Sequence, residues 1–348
     1  MGKRFFLTEG NIAEYLLTQA AKEFSFELKK VTSVEEVTKY TNACFVYRVN
    51  CLTSRGKKIL YLKQSDGYVK RNRRIRVDPE RVIIEGEKLR LLESLLGKEI
   101  VPMVLYIDLQ NYILVMDDIQ GKKKILVEEF DKHKVYPQLA EKFGIFFGTL
   151  HGKTYNTPLA FDGADWQKRI HGIWRDWVMF GAKKLVAKEV ISKFTNQSDK
   201  AKKAFIWGDP VHRNIFVSKY NFSVLDFDFA IHHDPAFDNG IFLAHWVIKL
   251  LEGNEQVVRD CRYFIKYFNK AYIETMRSFG ISAQEIEGII RRITVWTGVY
   301  MVSRTDGRSG SYYKNQPRLE AKIRETGLAL ITRSENKTAD WYTDILTK

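Results

Sequence analysis

The sequence is poor in cysteine. Its 348 residues contain three, Cys44, Cys51 and Cys261, which form no C-x-x-C pair and no spacing typical of a metal site. This pattern excludes a disulfide-rich scaffold and a zinc site built on thiolates. A reducing cytoplasm is therefore the setting that we expect.

Long apolar stretches are also missing. The longest, residues 241–251, is interrupted by His245 and Lys249 and is far shorter than the roughly 20 apolar residues that span a bilayer. The first residues, MGKRFFLTEGN, contain no apolar core of signal-peptide length, and Phe6 departs from the pattern for myristoylation of Gly2. We therefore expect a soluble protein with no membrane partner.

Positive charge is in excess, with a formal net charge of +14. Six of the twelve residues from Lys70 to Arg81 are Lys or Arg, so part of the excess is local. Three interpretations of this basic run stay open: a solvated loop, a supporting role near a bound nucleotide, and a patch for phosphate or nucleic acid. Aromatic residues are not interleaved with the run, so stacking on bases is not indicated and we do not expect a nucleic-acid partner.

Residues 206–230 contain oxygen-bearing side chains at the spacing that phosphoryl transfer requires. Asp209 and Asn214 have the D-x-x-x-x-N spacing of a kinase catalytic loop, Asp226 follows twelve residues later, and Asp228 comes next. Such an enzyme needs one carboxylate to accept or orient the proton of the attacking hydroxyl, and further oxygen ligands to hold Mg²⁺. Asp209 suits the first role, whereas Asn214 and Asp226 suit the second.

The segment between Asn214 and Asp226 predicts a hairpin. Residues 216–217 and 224–225 form two short strand patterns, and residues 219–221 form a turn between them. A hairpin here would return Asp226 to the neighbourhood of Asn214. The alternative is that the Asp, Pro and Asn residues of this segment only form turns.

A small sheet and a helix are predicted earlier in the chain. Three strand patterns occupy residues 26–31, 44–51 and 58–63. The third ends in Lys63, the natural cation to pair with nucleotide phosphates, although a lysine on an exposed strand face is the alternative. The helix pattern that begins at Pro79 carries Glu85, which could orient Lys63 through an ion pair, and Glu87 is the competing choice.

The loop between the first two strands, residues 38–43, contains no glycine. Backbone amides of this turn can contact phosphate, with Asn42 as the candidate, but the close approach that glycine permits is lost. Residues 112–118 predict a last strand that runs into a hinge. The hinge residues expected to offer backbone donors and acceptors to adenine are Met116, Asp117 and Ile119.

These segments resemble the aminoglycoside phosphotransferase and choline kinase superfamily. Its members carry His-Gly-Asp-x-x-x-x-Asn, then an Ile-Asp-x-Glu or Ile-Asp-x-Gly strand, then Asp-Pro-x-x-Asp. Here the three pieces read Trp207 to Asn214, Leu225 to Asp228 and Asp234 to Asp238, with Trp207 in place of the His. Over most of the chain, the pattern most resembles that of the methylthioribose kinases within this superfamily.

The resemblance implies roles for individual residues. Asp209 would be the catalytic base, Asn214 and Asp226 would be Mg²⁺ ligands, and Asp228 stands where choline and methylthioribose kinases have a second acidic residue. Asp238 would be structural and would brace the catalytic loop through its backbone.

Candidate acceptor contacts follow from the same resemblance. Residues 298–307 resemble a segment in which methylthioribose kinases have paired arginines for the sugar; Arg304 falls on the second and Ser303 replaces the first. The alternative for Arg304 is a surface or carboxylate-paired arginine at a helix end. His212, three residues after the base, also matches, and His233 follows the metal-binding strand.

The implied fold is α+β and protein-kinase-like, with two lobes. Residues 1–117 would form the nucleotide-binding lobe, an antiparallel sheet with a helix. Residues 118–333 would form a larger, mainly helical lobe with the catalytic loop, metal site and acceptor pocket, and residues 334–348 a tail. Helical periodicity at residues 139–151, 166–185 and 257–279 favours this arrangement. Ser282 and Glu285 predict a capping box, and Trp174 and Trp177 favour core positions over a pocket wall.

The sequence therefore predicts an ATP- and Mg²⁺-dependent small-molecule kinase, monomeric or homodimeric. Its acceptor would be a hydroxyl of a sugar, an amino alcohol or an aminoglycoside-like compound. Two alternatives stay open: a kinase of protein or RNA-associated targets, which would use the basic run, and a nucleotide-binding pseudokinase. The glycine-free loop and Trp207 fit a pseudokinase, but the retained acidic and amide side chains argue against it.

Overall fold

The chain folds into two compact units. The computed structural model describes residues 4–41, 43–97, 99–157 and 165–333, so Asn42 and the predicted tail lie outside the described residues. Unit 1 consists of residues 1–122 with 223–228, and unit 2 consists of residues 123–222 with 229–348. Within the described ranges, no helix has the length and apolar character needed to cross a membrane.

Unit 1 is built on an antiparallel sheet. Its elements in chain order are α1 (Ile12–Thr18), β1 (Leu28–Glu36), β2 (Phe45–Thr53), β3 (Gly56–Gln64), β4 (Tyr68–Val69), β5 (Asn72–Arg76), α2 (Arg81–Leu96), β6 (Val104–Asp108) and β7 (Ile113–Asp117). Five strands pair in the order β1-β2-β3-β7-β6, and β4 pairs with β5 as a separate hairpin. The predicted strands of the small sheet are confirmed, with bounds shifted by one to five residues.

Alternation along the strands builds the core of unit 1. Tyr47, Val49 and Cys51 of β2 and Leu60 and Leu62 of β3 are buried on one face. Side chains of α1 join the same cluster. Because successive strand residues point to opposite faces, this single apolar face fixes the register of the sheet.

The basic run adopts a structure that the sequence did not indicate. Residues 68–76 form the β4-β5 hairpin rather than an irregular loop, and every residue of β5 is exposed. Charged residues carry no apolar alternation, so the period-2 signal of a strand is absent here. The expectation of a loop is wrong for these residues, and the role of the basic run stays open, because its last residue, Arg81, is buried.

Unit 2 is mainly helical. Its elements are β8 (Lys124–Ile125), α3 (Leu126–Asp131), α4 (Ala140–Lys153), α5 (Asp165–Leu185), α6 (Lys188–Lys200), β9 (Ala204–Ile206), β10 (Ile215–Val217), β11 (Phe222–Val224), β12 (Ile231–His233), α7 (Ala236–Glu252), α8 (Glu255–Ser278), α9 (Ala283–Asp306) and α10 (Pro317–Arg333). Strand β11 begins in unit 2 and continues into the residues that belong to unit 1. The predicted capping box of Ser282 and Glu285 is confirmed at the start of α9.

Helix α7 is the centre of unit 2. Residues 236–250 are all buried, as expected for a helix that is apolar on every side. Trp246 of α7 stacks on Phe264 of α8 with ring centroids 3.4 Å apart. Helix α4 packs against α8 through Gly144, where an added Cβ would lie 2.4 Å from the carbonyl oxygen of Phe268. The closely packed helices form a rigid support for residues 207–214, which follow β9 in unit 2.

Candidate active site

A buried ion pair joins the sheet of unit 1 to helix α2. Lys63 Nζ at the end of β3 lies 2.6 Å from Glu85 Oε2, and both side chains are at most one-tenth exposed. Glu87, the competing glutamate, is exposed. Glu85 also accepts a hydrogen bond from the backbone N–H of Phe227 at 3.3 Å. The ion pair therefore ties strand, helix and the segment of Asp226 to one point within unit 1.

Two further carboxylates complete this acidic cluster. Lys63 Nζ lies 3.1 Å from Asp226 and 3.3 Å from Asp228. Arg81, at the start of α2, places its guanidinium 2.5 Å from Asp228. Asp226 has a left-handed backbone with φ of +63°, which turns its side chain away from the path of a regular strand. Its side chain is 39% exposed, whereas that of Asp228 is buried.

Burial and charge act in opposite directions on Lys63, Asp228 and Glu85 of the cluster. Burial disfavours the ammonium of Lys63, but Asp226, Asp228 and Glu85 outweigh burial and hold its pKa well above the ordinary value. Burial opposes ionisation of Asp228, yet Arg81 and Lys63 hold the pKa of this carboxyl well below its usual range. Burial and the two aspartates raise the pKa of Glu85, against the pull of Lys63.

The cluster fits a divalent cation. Ligand oxygens of Glu85, Asp226 and Asp228 lie within 4.8 Å of one another, and no other group of this kind occurs in the described part of the chain. Three carboxylates face two cations, Lys63 and Arg81, so one negative charge is in excess when all are ionised. Carboxylate oxygens are the donors that Mg²⁺ prefers, and a bound divalent ion would compensate that excess.

The predicted hinge residues lie at the end of β7 and just beyond it. Met116 is buried in the sheet, where it pairs with Tyr61 of β3. The N–H of Asp117 donates to the carbonyl of Met103 at 2.9 Å, and its carboxylate lies 2.5 Å from Lys58. The carbonyl of Ile119 accepts a hydrogen bond from Ser223 Oγ at 3.1 Å. These two backbone groups are thus already used within unit 1.

In unit 2, Asp238 braces the catalytic loop, residues 207–214. Its carboxylate accepts the backbone N–H of Trp207 at 2.6 Å and that of Gly208 at 2.8 Å. His151 Nε2 of α4 lies 3.3 Å from the same carboxylate, and both side chains are fully buried. Asp238 thus holds the backbone that leads into Asp209, and the structural role that the resemblance implied for it stays a prediction.

Gly208 is required by the backbone at this turn. Its φ is +85°, and an added Cβ would lie 2.3 Å from the carbonyl oxygen of Phe229. Its own carbonyl accepts a hydrogen bond from Trp174 Nε1 of α5 at 2.9 Å. Trp174 is half-buried and Trp177 is 39% exposed, so the expectation that both tryptophans belong to the core is wrong. Trp174 instead holds the loop, because its ring nitrogen needs a hydrogen-bond acceptor.

Asp209 and Asn214 lie at the two ends of the loop and contact each other. Asn214 Nδ2 donates to the backbone carbonyl of Asp209 at 3.0 Å and to its carboxylate at 3.1 Å. Arg213 places its guanidinium 2.9 Å from the same carboxylate oxygen. Asp209 is buried, so its orientation is fixed by these donors rather than by solvent.

A row of rings extends from the loop to helix α9. His212 stacks on His245 of α7 with ring centroids 4.0 Å apart, and His245 meets Tyr300 edge-on at 5.1 Å. Arg304, one turn after Tyr300, lies 3.4 Å above the ring of Tyr312 and 5.8 Å from that of Tyr300. We call these five residues the ring wall. In the described residues Arg304 has no ion pair, which rules out the carboxylate-paired alternative there.

His233 contacts residues other than those of the ring wall. It is on β12, which pairs with β9, and its ring packs against His171 at 4.6 Å and Phe237 at 6.1 Å. Its Nε2 lies 3.4 Å from Arg175. None of these contacts joins it to Asp209 or to the ring wall, so its predicted acceptor role has no support from them.

Three residues that contact the candidate groups had no role in the sequence-based prediction. Arg81 pairs with Asp228, Arg213 pairs with Asp209, and His245 stacks on His212. A signal existed for Arg81, which lies four residues before Glu85 and therefore on the same helix face. His245 had no such signal, because its partner lies more than thirty residues away.

Comparisons with known proteins show which proteins the chain resembles. The model of the phosphotransferase enzyme family matches residues 57–263. Methylthioribose kinase of Bacillus thuringiensis (strain Al Hakam) is 23% identical, across 95% of this chain and 94% of that protein.

Solved structures show a similar fold. Amicoumacin kinase hAmiN, in complex with AMP-PNP, Ca²⁺ and Ami, has a TM-score of 0.52 at 16% identity, and the likeness covers 92% of this chain and 93% of that one. Choline kinase from Cryptosporidium parvum Iowa II has a TM-score of 0.50 at 13% identity, covering 92% of this chain and 94% of that one. The predicted α+β, protein-kinase-like fold is confirmed.

Fold and matched segment together define a phosphotransferase with an alcohol group as acceptor, in the class of the small-molecule kinases. The family match spans more than half of the sequence. The chain therefore belongs to the APH phosphotransferase enzyme family, as the resemblance of its motifs predicted.

Proposed function

We propose that this enzyme transfers the γ-phosphoryl group of ATP to a hydroxyl of a small metabolite, with Mg²⁺ as cofactor. The observation that carries the proposal is the acidic cluster of unit 1, in which Lys63 pairs with Glu85 beside Asp226 and Asp228. A buried lysine held by a helix glutamate is the phosphate anchor of kinases, and clustered carboxylates supply hard oxygen ligands. The family membership supports the same reaction.

Each group of unit 1 has a distinct task in this proposal. Lys63 would pair with the nucleotide phosphates, and Glu85 would keep its ammonium in place. Asp226, the more exposed aspartate, would hold Mg²⁺ with Asp228, whose second oxygen is buried and accepts no hydrogen bond from the described residues. The bound ion would neutralise charge on the phosphates. Arg81 fixes the orientation of Asp228.

In unit 2, Asp209 would accept or orient the proton of the acceptor hydroxyl. Donors on Asn214 and Arg213 hold its carboxylate, and Asp238 holds the backbone that carries it. Asn214 is also the proposed amide ligand of Mg²⁺, a role that the resemblance implied. Because little covalent chemistry is left to the protein, the rate depends on how firmly these groups are positioned.

The acceptor class is the finer part of the proposal. The curated relative reported above is a methylthioribose kinase, and the pattern around Arg304 resembles the segment that contacts sugar in such kinases. We therefore propose a sugar hydroxyl as the acceptor, with Arg304 and His212 as contacts. An amino alcohol or an aminoglycoside-like compound is the competing acceptor.

A panel of metabolite hydroxyls tests the function directly. Purified enzyme is incubated with ATP, Mg²⁺ and each compound, and ADP release and phosphorylated product are measured by mass spectrometry. Matched reactions lack Mg²⁺, lack acceptor, or contain the Asp209→Ala variant. Acceptor-dependent product that disappears in all three controls supports the proposal. ATP binding without turnover on a broad panel would instead support the pseudokinase alternative.

A further inference from the structure

The charged side chains around Asp209 are mainly positive in the described residues. An acceptor that carries an ammonium group would need negative ones. Burial raises the pKa of Tyr300, and Arg304, Asp209 and Arg213 are the charges that act on it most strongly. The ring wall of His212, His245, Tyr300, Arg304 and Tyr312 therefore lies in the electrostatic field of both arginines and of the proposed base. All of these residues belong to unit 2, so their relationship is internal to one compact body.

Positive charge predominates at this wall. Asp209 is matched by its ion pair with Arg213 at 2.9 Å, and Lys249, which also acts on His212, is paired with Glu252 at 2.8 Å. The guanidinium of Arg304 has only aromatic contacts with Tyr300 and Tyr312 in the described chain. Among the described residues, one positive charge is thus left uncompensated beside the proposed base.

The two histidines do not change this balance. The rings of His212 and His245 stack on each other, and each keeps a ring nitrogen that is buried and without a hydrogen-bond partner in the described residues. They can offer hydrogen bonds but no negative charge.

Other carboxylates lie further along the wall. Glu252 and Asp131 act on Tyr313, which follows Tyr312, but neither is among the charges that act most strongly on His212, His245 or Tyr300. Glu252 is already paired with Lys249 and Asp131 is exposed. Among the described residues of unit 2, a cationic acceptor beside Asp209 would therefore face two guanidiniums and one carboxylate, which is itself shared with Arg213.

We propose that Arg304 makes this enzyme selective by charge: the acceptor beside Asp209 is a neutral or anionic hydroxyl compound, and ammonium-bearing acceptors are rejected. This inference rests on the proposed function. Like charges in a partly desolvated site repel by more than they do in water, and a guanidinium donates well to hydroxyl and carboxylate oxygens. The selection separates sugars and sugar acids from amino alcohols and aminoglycosides.

Three compounds with one carbon skeleton test the charge selection: neutral glucose, cationic glucosamine and anionic glucuronate. Neutral methylthioribose and cationic choline form a second pair. Affinity is measured by calorimetry without ATP, and turnover is measured with ATP and Mg²⁺. We expect the neutral and anionic compounds to bind at least about 10-fold more tightly than the amines. Wild-type preference for glucosamine or choline would overturn the proposal.

Charge reversal at Arg304 assigns the selection to one residue. Arg304→Glu is expected to remove or invert the preference, whereas Arg291→Glu, an exposed position on the same helix, is expected to leave it unchanged. If Arg304→Glu fails to fold, Arg304→Gln, which removes the charge without reversing it, is expected to abolish the discrimination. An unchanged ranking in a folded Arg304 variant would contradict the proposal.

The outcomes also separate this inference from the proposed function. Phosphorylation of choline that depends on Asp209 would uphold the kinase and overturn the charge selection. Charge-ranked binding that Arg304→Glu inverts, with no phosphorylation of any compound, would uphold the selection and count against the kinase.

Discussion

Arg81 and Asp228 form a buried ion pair within unit 1, with the guanidinium 2.5 Å from the carboxylate and both side chains less than 5% exposed. The pair joins the first turn of α2 to the segment that carries Asp226. Removing one partner of such a pair leaves a charge in a site that water does not reach, whereas replacing both by apolar side chains leaves none. The pair therefore couples the stability of unit 1 to the placement of the proposed metal ligands.

Arg81→Met is expected to lower the free energy of unfolding by about 3 to 5 kcal/mol, because Asp228 loses its main counter-ion. The double variant Arg81→Met with Asp228→Leu is expected to recover most of that loss and still to be inactive. Urea unfolding followed by circular dichroism measures the first effect, and ADP release measures the second. A double variant less stable than Arg81→Met would contradict this account of the pair.

Asp209→Ala and Asp209→Asn are expected to lower turnover by about 10²-fold or more while ATP binding is largely retained, since the loss concerns proton transfer from the acceptor. Steady-state kinetics and calorimetry of ATP binding separate the two effects. Asp199→Ala is the matched control, because Asp199 is an exposed aspartate of α6 paired with Arg175. Near-normal turnover in the Asp209 variants would contradict the assignment of Asp209 as the catalytic base.

Asp238→Ala is expected to destabilise the protein by about 3 kcal/mol or more, because two buried backbone N–H groups lose a charged acceptor. Turnover is expected to fall as well, since the same bonds hold the backbone before Asp209. Asp238→Asn keeps one acceptor oxygen and is expected to be intermediate in both measurements. Thermal unfolding and steady-state kinetics of the wild type and the two variants measure both effects. Equal stability and turnover of the Ala and Asn variants would argue against the proposal that Asp238 holds this backbone.

A left-handed alanine costs roughly 1 to 2 kcal/mol of stability through its backbone alone. Gly208→Ala is expected to cost more than that, because the added Cβ would also meet the carbonyl oxygen of Phe229. Gly280→Ala, at φ +79° with open space around it, isolates the backbone contribution. Gly172→Ala, on helix α5 with nothing within 4 Å, is expected to gain up to about 1 kcal/mol. Calorimetric melting temperatures should rank these variants in that order.

Acid is expected to destabilise unit 2 through His212 and His245. Because burial and nearby cations lower both pKa values in the fold, the unfolded chain binds more protons below about pH 6.5, the ordinary histidine pKa. Their stabilising contribution is complete above that pH and is lost as the pH falls, toward about 3 for His212, by up to about 1.4 kcal/mol per pH unit for each ring.

His245→Phe should therefore flatten the decline of unfolding free energy between about pH 6.5 and pH 4.5, measured in urea at each pH. His133→Gln, at an exposed position, serves as the control and should leave the slope unchanged. A slope in His245→Phe equal to that of the wild type would show that carboxylates alone account for the acid sensitivity.

Local patterns predicted much of the fold and of the proposed catalytic groups. Alternation located β2 and β3, helical period located α8, and Ser282 with Glu285 located the start of α9. The spacing of Asp209, Asn214 and Asp226 singled out the same residues that the structure holds in place by hydrogen bonds and ion pairs. Their roles in catalysis stay predictions.

Contacts between distant segments could not be predicted in the same way. Arg81 and Asp228 are 147 residues apart, and the ring wall joins the catalytic loop to α7 and α9. Such pairs depend on how helices and strands pack, which no local period records. Trp177 was misplaced for the same reason: its spacing suits a core face, but no neighbouring helix covers it enough to bury it.

The left-handed backbone of Asp226 places stability and turnover in conflict at this position. A non-glycine residue at φ +63° is strained, and glycine would relieve that strain at the same point of the chain. Directed evolution for heat tolerance alone would thus favour Asp226→Gly, and a screen for turnover would discard it. The residue found at position 226 after a laboratory selection would therefore show whether heat tolerance or turnover had been selected.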